Sequence, residues 1–155
     1  MAATVYLHKV VDEMDLLSDE ITAYLNRRTG ELRSVHDDEV IMAEDDIDLE
    51  ALPEWQRNDI PVIREILESE DWILLPSSHD INEWSLMEAY SLSMESLELR
   101  DELLRSIQGK GAFRYFRDTI RRHRIEEKWY EYRRAAFEAI AIEWLESNEI
   151  PYTRE

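Results

Sequence analysis

Half of the basic residues in this chain, and two of its three glycines, fall in one stretch that begins Gly109-Lys-Gly-Ala-Phe-Arg-Tyr-Phe-Arg and runs on through Trp129-Tyr130 and Phe137 to Trp144. The formal net charge of the 155 residues is −18. Between Lys110 and Arg134 there are nine basic and four acidic residues, a local charge of +5, which leaves −23 on the remainder. This one segment is charged against the trend of the chain. The chain must keep its carboxylates solvated or opposite those cations. Over most of its area such a surface repels a nucleic-acid backbone, so contact with phosphate is confined to the basic segment. Duplex nucleic acid is therefore not an expected partner.

The length suits a single domain spanning residues 1–155. With 44% hydrophobic residues and five tryptophans, the chain has material for a core. It has no cysteine, which removes disulfides, thiolate metal sites and cysteine nucleophiles. No run reaches the roughly 18 apolar residues of a membrane span. The opening residues have neither a basic nor an apolar leader region, so a cytoplasmic location is expected, with no membrane partner.

Leu7, Val10, Val11, Met14 and Leu17 recur with helical spacing, with Thr4 as the expected cap. Ile21 to Leu25 and Glu31 to Val35 flank Asn26-Arg-Arg-Thr-Gly30, which predicts a β-hairpin turned at Gly30. From Asp37 to Glu50 there are eight acidic residues and no basic ones, read as a solvated acidic linker near 37–51 or, as the alternative, a binding edge for a basic partner. A calcium loop does not fit, because the glycine and the bidentate glutamate that it needs are missing from register. Ile60, Ile63, Ile66 and Leu67 predict a helix capped by Asp59, with Pro61 in its first turn. Trp72-Ile-Leu-Leu-Pro76 reads as a buried strand that pairs with the hairpin. Asp80-x-x-Glu83 resembles a capping box for a helix carrying Trp84, Met87, Tyr90 and Met94. A further helix carries Leu99, Leu103, Leu104 and Ile107 and stops at Gly109. The fold class expected is α+β, a small, mainly antiparallel three-stranded sheet packed against about five helices.

The basic segment supplies the candidate site. Gly109 and Gly111 flank Lys110 where one helix ends and another starts, either as turn geometry or as a site for an anion at a helix N-terminus. After them, Phe113, Phe116 and Ile120 fall on one narrow face, with Arg114, Arg117 and Arg121 on the adjacent stripe. That stripe is either a solvated, ion-paired face or a partner-binding one. A last helix near Ile125 to Asn148 places Arg133 amid Trp129, Phe137, Ile140 and Trp144. A guanidinium there needs a carboxylate from the core edge or opens onto an anion pocket. His8, His36, His79 and His123 are scattered, no serine lies in a nucleophile-elbow sequence, and no cofactor motif is present.

Gly109-Lys-Gly-Ala-Phe-Arg-x-Phe-Arg117, then Trp129-Tyr130 and Ile140-Ala-x-Glu-Trp-Leu145, resembles a bacterial family of unknown function, Uncharacterised Protein Family one-five-eight. The likeness extends through Leu75-Pro76, the Met94 helix and the Tyr24-Leu25-Asn26…Thr29-Gly30-Glu31 hairpin. Members often carry Lys where Arg117 stands, which keeps the charge. The resemblance implies a small bacterial cytosolic protein and brings no activity, cofactor or catalytic residue with it. Three function classes therefore stand. The first is a non-enzymatic binding or regulatory module whose basic, aromatic C-terminal helical segment meets a protein, with Lys110, Arg114, Arg117, Arg121 and Arg133 as candidate contacts and a small anion as a further ligand. The second is an acidic decoy that mimics nucleic acid, and the third an enzyme acting on a phosphorylated small molecule near Lys110.

Overall fold

A computed structural model describes residues 3–45, 49–77 and 80–155. The fold is α+β, with seven α-helices among the described residues and an antiparallel three-stranded sheet. The chain divides into two compact units, one formed by residues 1–80 and 140–155 and the other by residues 81–139.

The first unit opens with strand β1 (Val5–Tyr6), which runs directly into helix α1 (Leu7–Asp15). Leu7, Val10, Val11 and Met14 form the buried face of α1, as their spacing requires. Tyr6, and not Thr4, occupies the N-cap, and it makes no side-chain cap bond. Strands β2 (Ile21–Asn26) and β3 (Leu32–His36) form the expected hairpin, with Leu25 opposite Leu32. Its turn is built by Asn26, whose Oδ1 accepts hydrogen bonds from the amides of Arg28 at 2.9 Å and Thr29 at 3.2 Å. Gly30 closes it at φ 80°, a left-handed conformation that a side chain would resist. Strand β4 (Trp72–Leu74) pairs antiparallel with β2, giving the order β3-β2-β4.

Two further elements of this unit differ from expectation. Where the sequence reads as an acidic linker, residues Asp37–Glu44 form helix α2. The reason is electrostatic and local. Asp37, Asp38 and Glu39 sit in the first turn, where the helix dipole favours negative charge. His36 and Glu39 close a reciprocal capping box, the His36 amide donating to Glu39 Oε1 at 3.1 Å. Ala43 is buried, and Val40 and Met42 pack against a core of Val35, Ile60, Ile63, Ile66 and Trp72. Helix α3 (Glu54–Glu68) starts behind Pro53, well before Asp59, so Pro61 lies in its interior and the Arg57 carbonyl has no i+4 amide donor. Asp59 instead pairs with Arg33 at 3.0 Å.

A second, parallel pairing joins β1 to β5 (Tyr152–Thr153), with Val5 opposite Tyr152. Two-residue strands leave no periodicity, so this pairing has no sequence signature.

The second unit is helical. Helix α4 (Glu83–Leu92) is capped by Asn82, whose side chain accepts from the Ser85 amide at 3.0 Å. Asp80, the expected cap, instead closes a turn by accepting from the Ser77 amide. Helices α5 (Leu97–Ser106) and α6 (Ala112–Arg122) follow, and α7 (Glu126–Ser147) supplies its first turns to this unit and its last to the other. The core here is aromatic. Trp129 meets Phe116 edge-on at 4.9 Å between ring centroids, and Tyr90 lies 5.4 Å from Trp129 and 5.3 Å from Tyr132. Met87, Leu103, Ile107 and Ile120 complete it. Among the described residues no helix is long and apolar enough to cross a membrane.

Candidate functional site on helix α6

Two left-handed glycines start α6. Gly109 and Gly111 both have φ 77°, and Gly111 is the N-cap residue. Nothing lies within 4 Å of a Cβ built on Gly109, so the backbone angle, and not crowding, calls for glycine there. Past this turn the helix buries Ala112, Phe116, Thr119 and Ile120, an i, i+4, i+7, i+8 set. The Thr119 hydroxyl donates to the Tyr115 carbonyl at 2.7 Å, so its burial leaves no unmet polar group.

That buried set rotates the helix away from the face read from sequence. Phe113 is not in the core but 50% exposed, while Phe116 is 2% exposed. Thr119 is the misleading residue, because counting it as polar moves the apparent apolar centre toward Phe113. Tyr115, and Tyr130 on α7, are also exposed. The sequence marks this segment as basic and aromatic without singling out any ring; Phe113, Tyr115 and Tyr130 are the ones that the fold leaves exposed.

The cations separate into two groups. At the C-terminal end of α6, Arg121 donates from Nε to Glu126 at 2.7 Å, and that hydrogen bond raises its pKa above the ordinary arginine value. Arg122 and His123 both meet Glu102 of α5, His123 through Nε2 at 2.7 Å. At the other end, Lys110, Arg114 and Arg117 are exposed and make no ion pair among the described residues. Of the α6 cations, Arg114 and Arg117 are left without an ion pair, as is Lys110 just ahead of the helix; past the helix, Arg124 and Lys128 are exposed and also make none among the described residues.

Arg133 lies apart from both. It sits on α7 with its Nε 2.9 Å from Glu83 Oε1, and Nη2 meets the same oxygen. Its guanidinium lies over the Phe137 ring at 4.2 Å. The carboxylate demanded by the arginine's position thus comes from the first turn of α4. In the sequence Glu83 is legible only as a helix-start acid, since nothing in the spacing joins residues 83 and 133. The structure therefore brings Lys110, Arg114 and Arg117 together at one end of α6, leaves Arg121 tied to Glu126, and holds Arg133 within the internal pairing of the second unit. Among the described residues no group of three or more His, Asp or Glu is placed to hold a metal ion.

Neither a curated protein nor a solved structure matches the chain. One family model does match, over residues 2–155, and with that span the chain belongs to the Uncharacterised protein family (UPF0158).

Proposed function

We propose that this protein is a non-enzymatic binding or regulatory module, bacterial and cytoplasmic, that meets a protein partner through the outer face of α6. The observation that carries this reading is that Phe113, Arg114 and Arg117 lie on one exposed side of α6, with Lys110 just ahead of the helix, and those three cations are unpaired among the described residues. In a chain of net charge −18, carboxylates are abundant, yet these cations are left without one. Arginine and aromatic side chains are the residue types that concentrate binding energy at protein interfaces. A stripe of this size is too small for salt-resistant binding to duplex DNA, which needs many phosphate contacts.

The test is capture of partners from native lysate on immobilised protein, comparing wild type with Phe113→Ser/Arg114→Glu/Arg117→Glu. A protein retained by wild type and lost by the triple variant, with melting temperature unchanged, is the expected result. Equal retention by both excludes α6, and loss on reversing surface carboxylates instead favours the decoy reading. A fluorescence anisotropy titration with duplex DNA should show no sub-micromolar binding at physiological salt.

A further inference from the structure

The charge that α6 lacks is present on α2, in a matching arrangement. Ile41 is 56% exposed on α2, and Asp37, one turn before it, and Glu44, one turn after it, are both exposed. Asp37, Asp38 and Glu44 make no ion pair among the described residues. On α6 the exposed apolar residue is Phe113, with Arg117 one turn after it and Lys110 just ahead of the helix. The two helices are thus complementary in an antiparallel sense. With Phe113 set against Ile41, Arg117 at i+4 falls opposite Asp37 at i−4, both about 6 Å along the axis. Lys110 then lies toward Glu44. Antiparallel alignment also sets the helix dipoles favourably.

We infer that the outer face of α6 takes helix α2 of a second copy of this chain, in the register Phe113 to Ile41 and Arg117 to Asp37. The inference rests on α6 being the binding surface and names its occupant. Charge complementarity selects a second copy, because α2 presents unpaired carboxylates around one exposed aliphatic side chain, and the exposed face of α6 presents their counterpart. A reciprocal contact closes a dimer, and a head-to-tail one extends into a chain. Two bodies of net charge −18 repel at long range, but that repulsion decays over about 8 Å at physiological ionic strength, while pairs in contact are screened less. Association should therefore strengthen from about 0.01 M to about 0.15 M salt and weaken again toward about 1 M.

Sedimentation equilibrium of the full chain tests this with wild type, Arg117→Asp, Asp37→Arg and an equimolar mixture of the two variants. Wild type should associate in a concentration-dependent way, and each reversal alone should weaken association by about tenfold or more. The mixture should recover it. In the mixed pair the aspartate introduced at position 117 of one protein faces the arginine introduced at position 37 of the other, while the native Arg117 and Asp37 also meet. The Asp37 side chain is exposed, but the residue lies in the first turn of α2, so circular dichroism must show unchanged helix content. Ile41→Ser, which alters no cap, tests the same face independently and should also weaken association. Wild type that stays monomeric, a mixture that fails to recover, or charge effects that do not depend on concentration would each overturn the inference. Should wild type be monomeric while the α6 triple variant still loses its captured protein, α6 remains the binding surface and only its occupant is wrong. Association lost with Arg117→Asp but kept with Asp37→Arg has that same meaning.

Discussion

Phe113 and Phe116 lie three residues apart on one helix, yet one is half-exposed and the other is enclosed by Trp129 and its neighbours. The same contrast holds for Arg117 and Arg133, the first open to solvent and the second set between Glu83 and the Phe137 ring. In this unit residue type does not reveal role. The inner set holds the helices together, while the outer set lies largely outside that packing.

Substitutions can break or sharpen this contrast. Phe116→Ala should have the largest effect, destabilising by about 4 kcal/mol in denaturant melts, because it removes a buried ring and leaves a cavity against Trp129. A loss below about 1 kcal/mol would show that the aromatic core is not as tightly filled as its geometry implies. Arg133→Met should cost about 2 kcal/mol, less than a fully buried pair, since the Arg133 side chain keeps 19% and Glu83 31% of their exposure. A Met variant as stable as wild type would place Arg133 with the outer set. A smaller effect belongs to Tyr90, whose phenol burial holds above its ordinary pKa of 10.0. The unfolded phenol ionises first, so stability present below pH 10 falls as the pH climbs toward the higher folded value. Tyr90→Phe should flatten that alkaline fall in melts run across this range. The smallest effect is expected from Phe113→Ser/Arg114→Glu/Arg117→Glu, within about 0.5 kcal/mol of wild type. A large loss there would mean that the outer face is structural after all.

The hairpin is legible in the sequence because Asn26 and Gly30 build a turn from their own chemistry, within five residues. The need for a partner at Arg133 is also legible, because a guanidinium on an apolar face admits few solutions. Its identity is not, since Glu83 is brought close only by the packing of α4 with α7. Helix α2 is hidden because dense negative charge suggests repulsion, and the capping that offsets it rests on His36, a residue type that does not announce a helix start. The start of α3 escapes the pattern because Trp55, in its first turn, is exposed and adds nothing to a buried periodicity. Of the candidate site, the cations can be found from charge alone. Whether each is paired depends on Glu102 and Glu126, two ordinary members of a crowded acidic set.

The parallel pairing of Val5 with Tyr152 bears on the order in which this chain acquires structure. Residues 81–139 are continuous in sequence, α4 packs on α5 and α5 on α6, and the longest closure, between α4 and α7, spans about 50 residues, so closure entropy is smaller than for β1 with β5 and the unit can form early. The other unit includes a contact that spans nearly the whole chain. During synthesis its β1 edge has no β5 to pair with until residues 152–153 have emerged, well after the helical segment is available to fold. Hydrogen-exchange labelling during refolding should accordingly find amides of α4 to α6 protected before the Val5 amide, which donates to the Pro151 carbonyl at 3.0 Å. The bond that joins β1 to β5 then forms after the helices of the second unit, and any change that weakens it exposes that edge for longer.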